Sequence, residues 1–303
     1  MSVFLVALTY FAFIFIVLIS AAKVIKIARM PAHLRWELAP IPHEKGKNRY
    51  GGSYLEEFEW WHKKQRRSLA AVVIYMAKEI FLLKGVWKNN RTLWPFSFSM
   101  HTGIYLVILS ILLHVINALI IITGTSASIL DVFVNIAAVI ALAGYILGGF
   151  GTIGLILKRS LDAGLRYFGT FSVYFRLVFL AAAFISGIIA WFYTTDFAST
   201  MSLFARNLLT LDSAITITTP LVVHIVISLL FLIYLPLTDM AHFITKYFTY
   251  HAVRWNDTPL NEKMEAELSG LKSQTSSWAA PHIPTGKTWS EIAAEKPNDE
   301  KTP

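Results

Sequence analysis

The chain has 303 residues, 55% of them hydrophobic and 15% charged, with a mean hydropathy of +0.54, no cysteine and a net charge of +8. Soluble domains carry roughly 25% charged residues, so the composition argues against a soluble globule. The basic residues flank apolar runs, which suits a membrane surface rather than nucleic acid. Without cysteine there are no disulfides, thiolate-held iron–sulfur clusters or C-x-x-C-H haem attachment, so any metal or haem must be held by His, Met or carboxylate.

Five apolar runs each reach the length of about 20 residues that a membrane crossing needs. The first, 3–27, follows only Met1 and Ser2, lacks the basic region of a signal peptide, and reads as a transmembrane helix. The segment 28–97 begins loop-like, with Pro31, Pro40, Pro42, Gly46, Gly51 and Gly52. Within it, 68–87 mixes apolar residues with Lys78, Glu79 and Lys84. It reads as an interfacial amphipathic helix, with Trp87 and Trp94 at headgroup depth. The adjacent runs Glu56, Glu57, Glu59 and Lys63 to Arg67 offer a docking surface or simply a solvated face. Further spans follow at 98–123, 130–157, 171–193 and 216–247, the last carrying Pro236, which kinks a helix or removes a backbone hydrogen bond. After about residue 255 the chain is polar and contains proline, as expected of a tail that lies along a partner or is partly disordered.

The expected fold is therefore all-α: a polytopic bundle of five transmembrane helices over 1–252, with 28–97 as a cytoplasmic or interfacial insert and 253–303 as a cytoplasmic tail. Lys and Arg concentrate in 28–97, in the loop after the third span and after the fifth, while the loop after the second span has none and that after the fourth only Arg206. The positive-inside rule then puts the N-terminus outside and the C-terminus in the cytoplasm.

Four of the nine histidines fall inside the spans: His101 and His114 on the second, His224 and His242 on the fifth. Ionisable residues in membrane helices are costly, which makes function the default hypothesis. The two spans run antiparallel, so His101 and His242 share a cytoplasmic level and His114 and His224 an outer one. Imidazoles from facing helices can grip a haem from both sides. His224 and His242 are eighteen residues apart, or five full turns and about 27 Å along one face of a helix. His101 and His114 are thirteen apart and differ by roughly 140° around an ideal helix, an angle that a bulge near Gly103, helix crossing or rotamers would have to absorb. The other readings are histidines that hydrogen-bond between helices, a transporter or channel with a polar path, and a haem-free membrane anchor.

The stretches MHTGIYLVILSILLHVINALI and PLVVHIVISLLFLIYLPLTDMAHFITKYF resemble the gamma subunit of respiratory nitrate reductase, over about residues 95–250. That family has five spans, an outside N-terminus and two haems b between its second and fifth helices. The resemblance implies that His101 and His242 ligate the haem nearer the cytoplasm, and His114 and His224 the haem nearer the outer face. The chain departs from the family in its wider helix-two histidine spacing and in having no Lys in 123–131, where the family's quinone-site lysine stands. The insert HLRWELAPIPHEKGKNRYGGSYLEEFEWWHKKQRRS is closer to the membrane cytochromes b of sulfate-reducer redox complexes. Those subunits sit beside a cytoplasmic iron–sulfur protein related to heterodisulfide reductase, often with a periplasmic multihaem cytochrome c.

The resemblance implies a multi-pass subunit of a prokaryotic cytoplasmic membrane that carries electrons between menaquinone or menaquinol and a cytoplasmic iron–sulfur partner. His114, Asn117, Asp131 and Asn135, near the outer ends of the second and third spans, are candidates for a quinone site. The alternative is that Asn117 and Asn135 bond between helices and Asp131 caps one. Arg176, early in the fourth span, is a candidate for a haem propionate or for snorkelling to headgroups.

Overall fold

The computed structural model describes residues 2–30, 56–63, 68–124, 128–212, 214, 216–248, 261–280, 283 and 285–294; the side chains of 2, 61 and 128–131 lie outside that description. The chain divides into two compact units, 1–31 with 71–249, and 32–70 with 250–303. The segment 28–97 is thus shared between them.

The helices of the first unit, with α2 beginning two residues before it, are α1 Ser2–Ala28, α2 Leu69–Phe81, α3 Lys84–Asn89, α4 Trp94–Ile122, α5 Ser128–Leu161, α6 Ala163–Tyr167, α7 Phe171–Tyr193, α8 Phe197–Thr210, α9 Thr219–Tyr234 and α10 His242–Phe248. Five stretches are long and apolar enough to cross a membrane: Val3–Ala28, Trp94–Ile122, Val132–Leu161, Phe171–Tyr193 and Thr219–Leu237. The protein is an all-α, polytopic membrane bundle.

The helices pack in the order α4, α5, α7, α9, α1, with α8 against α4, α5 and α7. α4 and α9, which carry His101, His114 and His224, are not among the closely packed pairs; His242 lies beyond the fifth span, at the start of α10. The α4–α5 contact is the most extensive, and glycine makes it so close. A Cβ at Gly103 would lie 2.4 Å from the Gly148 nitrogen, and one at Gly151 2.3 Å from the Met100 nitrogen. Small residues let membrane helices approach backbone to backbone, where dispersion rather than the hydrophobic effect holds them together. α1 attaches by a narrow seam, Leu5, Thr9 and Ala12, at helical spacing. The Tyr10 hydroxyl donates to the Leu208 carbonyl of α8.

Three sequence expectations are corrected. The fifth span is not one helix over 216–247. Pro236 has no N–H to donate, so α9 stops at Tyr234, and two 3-10 turns, Leu235–Leu237 and Asp239–Ala241, precede α10. The break is held from both sides: Lys23 of α1 donates to the Thr238 carbonyl at 3.3 Å, and Arg176 of α7 pairs with Asp239. Second, 68–87 is two helices, because Leu83 takes a left-handed conformation (φ 47°) between α2 and α3. Third, α4 is helical from Trp94 to Ile122 with no bulge near Gly103. That glycine serves the close crossing with α5 instead.

In the second unit, Asn261 caps α11, Glu262–Lys272, by accepting from the Met264 N–H at 3.0 Å. The chain continues through antiparallel bridges, Thr275 with Thr288 and Ala280 with Ile283, to α12, Trp289–Ala294. The described part of the tail is folded, with Ser276 buried and its hydroxyl donating to the Trp278 carbonyl.

Candidate functional site

His101 stands two turns into α4 and His242 opens α10, and their ring centroids are 6.2 Å apart with planes inclined at 66°. Each ring is oriented by a backbone carbonyl of its own chain segment. His101 Nδ1 donates to the Ser97 carbonyl at 2.7 Å, and His242 Nδ1 to the Asp239 carbonyl at 3.2 Å. A carbonyl can only accept, so the Nδ1 atoms carry the protons and both Nε2 atoms present lone pairs. This is the usual arrangement of a metal-ligating histidine, whose other nitrogen donates to an outer partner. Two imidazoles binding one metal from opposite sides, at an N–metal distance of about 2 Å, bring their centroids to about 6 Å. The 6.2 Å centroid separation of the His101–His242 pair matches that distance.

The helix break changes the reason for the fit. Five straight turns do not connect His224 with His242, so the common-face argument does not apply to them. His242 faces His101 because the two 3-10 turns redirect the chain, and Arg176 and Lys23 hold those turns. Arg176, the candidate for a propionate, is largely buried; its Nη1 pairs with Asp239 and its Nε donates to the Ser172 carbonyl at 2.9 Å.

A buried acid lies close by. Glu79 of α2 is 6% exposed, accepts from the Gly85 N–H at 3.3 Å and stands 3.6 Å from Lys246 Nζ, one turn beyond His242. Tyr105 of α4 donates to the Ile80 carbonyl at 2.9 Å. Together these tie α2 to α4 and α10. Outside the spans, Asp162 caps α6, and the Lys158 ammonium and the α6 backbone amides hold its carboxyl below the usual range.

At the other level the two histidines differ. His114 is 2% exposed; its Nδ1 lies 2.9 Å from Ser202 Oγ of α8, while its Nε2 is buried with no hydrogen-bond partner. Asn117, one turn on, is also buried, with Oδ1 unpartnered. Each orphaned atom carries a desolvation cost of about 1–3 kcal/mol, which a ligand or ordered water would relieve. His224 has both nitrogens engaged. Ser186 Oγ donates to the Ala183 carbonyl at 2.9 Å, so it accepts from His224 Nδ1 at 3.1 Å. His224 Nε2 then accepts from the Tyr145 hydroxyl at 3.0 Å. The open nitrogen of His114 fits a metal ligand; the Nε2 of His224 fits one only if Tyr145 turns away. The angle between His101 and His114 is not absorbed: one ring faces α10 and the other α8.

The quinone candidates differ in setting. Asn117 is buried and Asn135 exposed on α5, and the Asp131 side chain lies outside the described residues. His62 is exposed, while His33, His43, His251 and His282 lie outside the described residues. Of the charged runs, Lys63 pairs with Glu57 at 3.2 Å on a partly exposed surface, and 64–67 lie outside the described residues.

Ser202, Ser186 and Tyr145 are missing from the sequence reading. α8 itself was legible: Phe197, Ala198, Met201, Phe204, Ala205 and Leu208 recur at helical spacing, over a stretch too short to span. Asp196 marks its start by accepting from the Ser199 N–H at 3.1 Å. Replacing Ser202 by alanine is expected to lower stability by about 1 kcal/mol through loss of its bond to His114, read as a lower melting temperature of the purified protein.

Among the described residues no group of three or more His, Asp or Glu converges as a bare metal ion would require; a bis-imidazole haem site takes two. No family model, curated protein or solved structure matches the chain.

Proposed function

We propose that the protein is a membrane cytochrome b subunit that moves electrons between menaquinol or menaquinone and a cytoplasmic iron–sulfur partner. The observation that carries this reading is the His101–His242 pair, 6.2 Å between ring centroids, with both Nδ1 protons committed to backbone carbonyls. Bound haem supplies one-electron redox chemistry that no amino-acid side chain of this composition offers. His101 and His242 would hold the first group. The Ser97 and Asp239 carbonyls orient the rings, and the Arg176–Asp239 pair keeps the redirected chain in place. His114 would hold the second group, with His224 opposite once Tyr145 releases it.

Lacking cysteine, the chain cannot hold an iron–sulfur cluster through thiolates, so the next carrier belongs to a partner. A heterodisulfide-reductase-like subunit on the basic face, and a multihaem cytochrome c on the opposite one, follow from the sequence resemblance. The same resemblance and the charge bias support a prokaryotic cytoplasmic membrane, with the N-terminus outside. For the quinone, Asn117 is the best-supported contact, since its unpartnered buried Oδ1 can accept from a quinol hydroxyl.

One observation favours a transporter instead: the fifth span is discontinuous, a device that transporters use to build ion sites. In this chain the break lies at the end of the span and brings two histidine rings together.

The test is the absorption spectrum of the protein purified after expression with full haem supply. Reduced-minus-oxidised b-type bands at about two haems per chain are expected; a colourless preparation overturns the reading. Tyr145→Phe removes the hydroxyl that competes for His224 Nε2, and haem content is expected to stay at the wild-type level. Loss of haem in that variant would show that the tyrosine supports the site rather than competing with it.

A further inference from the structure

Where α2 gives way to α3 and α4, the surface carries an open cleft of about 260 Å³ lined by Lys78, Leu82, Lys84, Trp87 and Trp94. It is built with some care. Leu83, a non-glycine residue at φ 47°, turns the chain between α2 and α3. Such a conformation costs of order 1 kcal/mol or more and persists only where the surroundings over-determine it. Here the Trp94 indole N–H donates to the Leu82 carbonyl at 2.8 Å, and the Gly85 N–H to buried Glu79 at 3.3 Å. The two indoles meet edge to face at 4.8 Å, and Trp94 stacks on Phe98 at 4.7 Å.

The polar groups in this cleft are all of one sign. Among the described residues neither Lys78 nor Lys84 pairs with a carboxylate; Lys84 lies over the Tyr75 ring at 5.1 Å, and Arg91 over Trp87 at 5.1 Å. The acid next to Lys78 in sequence, Glu79, is engaged by Lys246 and the Gly85 N–H. α2 exposes Val73, Ile74 and Phe81, and Leu82, which lines the cleft, follows them. An apolar face next to ammonium groups and indoles is the signature of a segment lying at the headgroup level of a bilayer.

The geometry points to a binding site for an anionic glycerophospholipid, its phosphodiester between the Lys78 and Lys84 ammonium groups and its acyl chains along Leu82 and Phe81. Charge complementarity selects the lipid: two cations that pair with no carboxylate among the described residues disfavour a zwitterionic choline headgroup and favour phosphatidylglycerol. The exposed apolar surface beside them selects a lipid over a free anion. This site is independent of the proposed electron-transfer role.

The test uses the full chain, purified in a neutral detergent, delipidated and titrated with phosphatidylglycerol, phosphatidylcholine or inorganic phosphate, with bound lipid counted by native mass spectrometry. Wild type is expected to retain phosphatidylglycerol with a preference of at least tenfold over phosphatidylcholine. Lys78→Gln and Lys84→Gln are each expected to cut that preference about fivefold and together to abolish it. Lys84→Arg is expected to keep it, as is Lys263→Gln, since Lys263 pairs with Glu267. Equal retention of the two lipids by wild type overturns the proposal. So does a preference that survives the double substitution, and so does displacement of phosphatidylglycerol by equimolar phosphate, which would mark a free-anion site.

Discussion

Replacing His242 with alanine is expected to remove about half of the b-type absorbance of the purified protein, one haem of two. His101→Ala is expected to do the same. The double variant is expected to lose no more than either single one, because two residues that ligate one metal act as a unit and their effects do not add. The structural basis is the 6.2 Å ring pair, whose Nε2 atoms carry no proton once each Nδ1 has given its own to a carbonyl. His114→Ala is expected to add to His242→Ala, leaving the protein nearly colourless, since its ring faces Ser202 of α8 and not the His101 pair. If the His101 and His242 losses added together, the two residues would serve different haems. If neither substitution changed the absorbance, the pair would be an ordinary ring contact between a helix and a turn.

The second large effect is expected at the crossing of α4 and α5. Gly103→Leu would place a Cβ 2.4 Å from the Gly148 nitrogen and 2.5 Å from its Cα, so backbone must give way to backbone. Overpacking of this kind costs about 3 kcal/mol or more, and it falls on the most extensive contact in the bundle. Gly151→Leu meets the Met100 backbone at 2.3 Å and is expected to behave alike. Gly149→Ala is the control: its Cβ would find only Phe184, at an ordinary 3.8 Å, and stability is expected to change by no more than about 0.5 kcal/mol. Denaturant or thermal unfolding of the detergent-solubilised protein separates these outcomes. Equal stability of Gly103→Leu and Gly149→Ala would show that the helices do not approach this closely. Because His101 sits two residues before Gly103, the first substitution is also expected to lower haem content, and the Gly149→Ala control to leave it unchanged.

The number of spans and the all-α class were written in hydropathy and length, because a lone helix must satisfy its own backbone in lipid and needs about 20 apolar residues to do so. His101, His114 and His224, which lie in membrane-length helices, were legible for a similar reason: a titratable group there is costly enough to stand out in any reading of composition; His242 lies beyond the fifth span, exposed at the start of α10. Pro236 was visible too, although its consequence was not. A missing N–H permits a straight kinked helix or a full break, and only the positions of Lys23 and Arg176 on neighbouring helices settle which one occurs.

Which histidine nitrogen is open was beyond the sequence altogether. Tyr145 stands seventy-nine residues from His224, and Ser202 eighty-eight from His114, so neither pairing has a local signature in spacing or periodicity. Residues 68–87 make the same point: amphipathic composition marked the segment as interfacial, but the left-handed turn at Leu83 depends on Trp94 and Glu79 holding it from either side. What the linear chain determined by itself was that its helices belong in a bilayer and that His101, His114 and His224 lie on membrane-length helices. What tertiary structure alone decided was which imidazoles face each other, because that depends on how neighbouring helices redirect a broken one and which side chains reach the rings first.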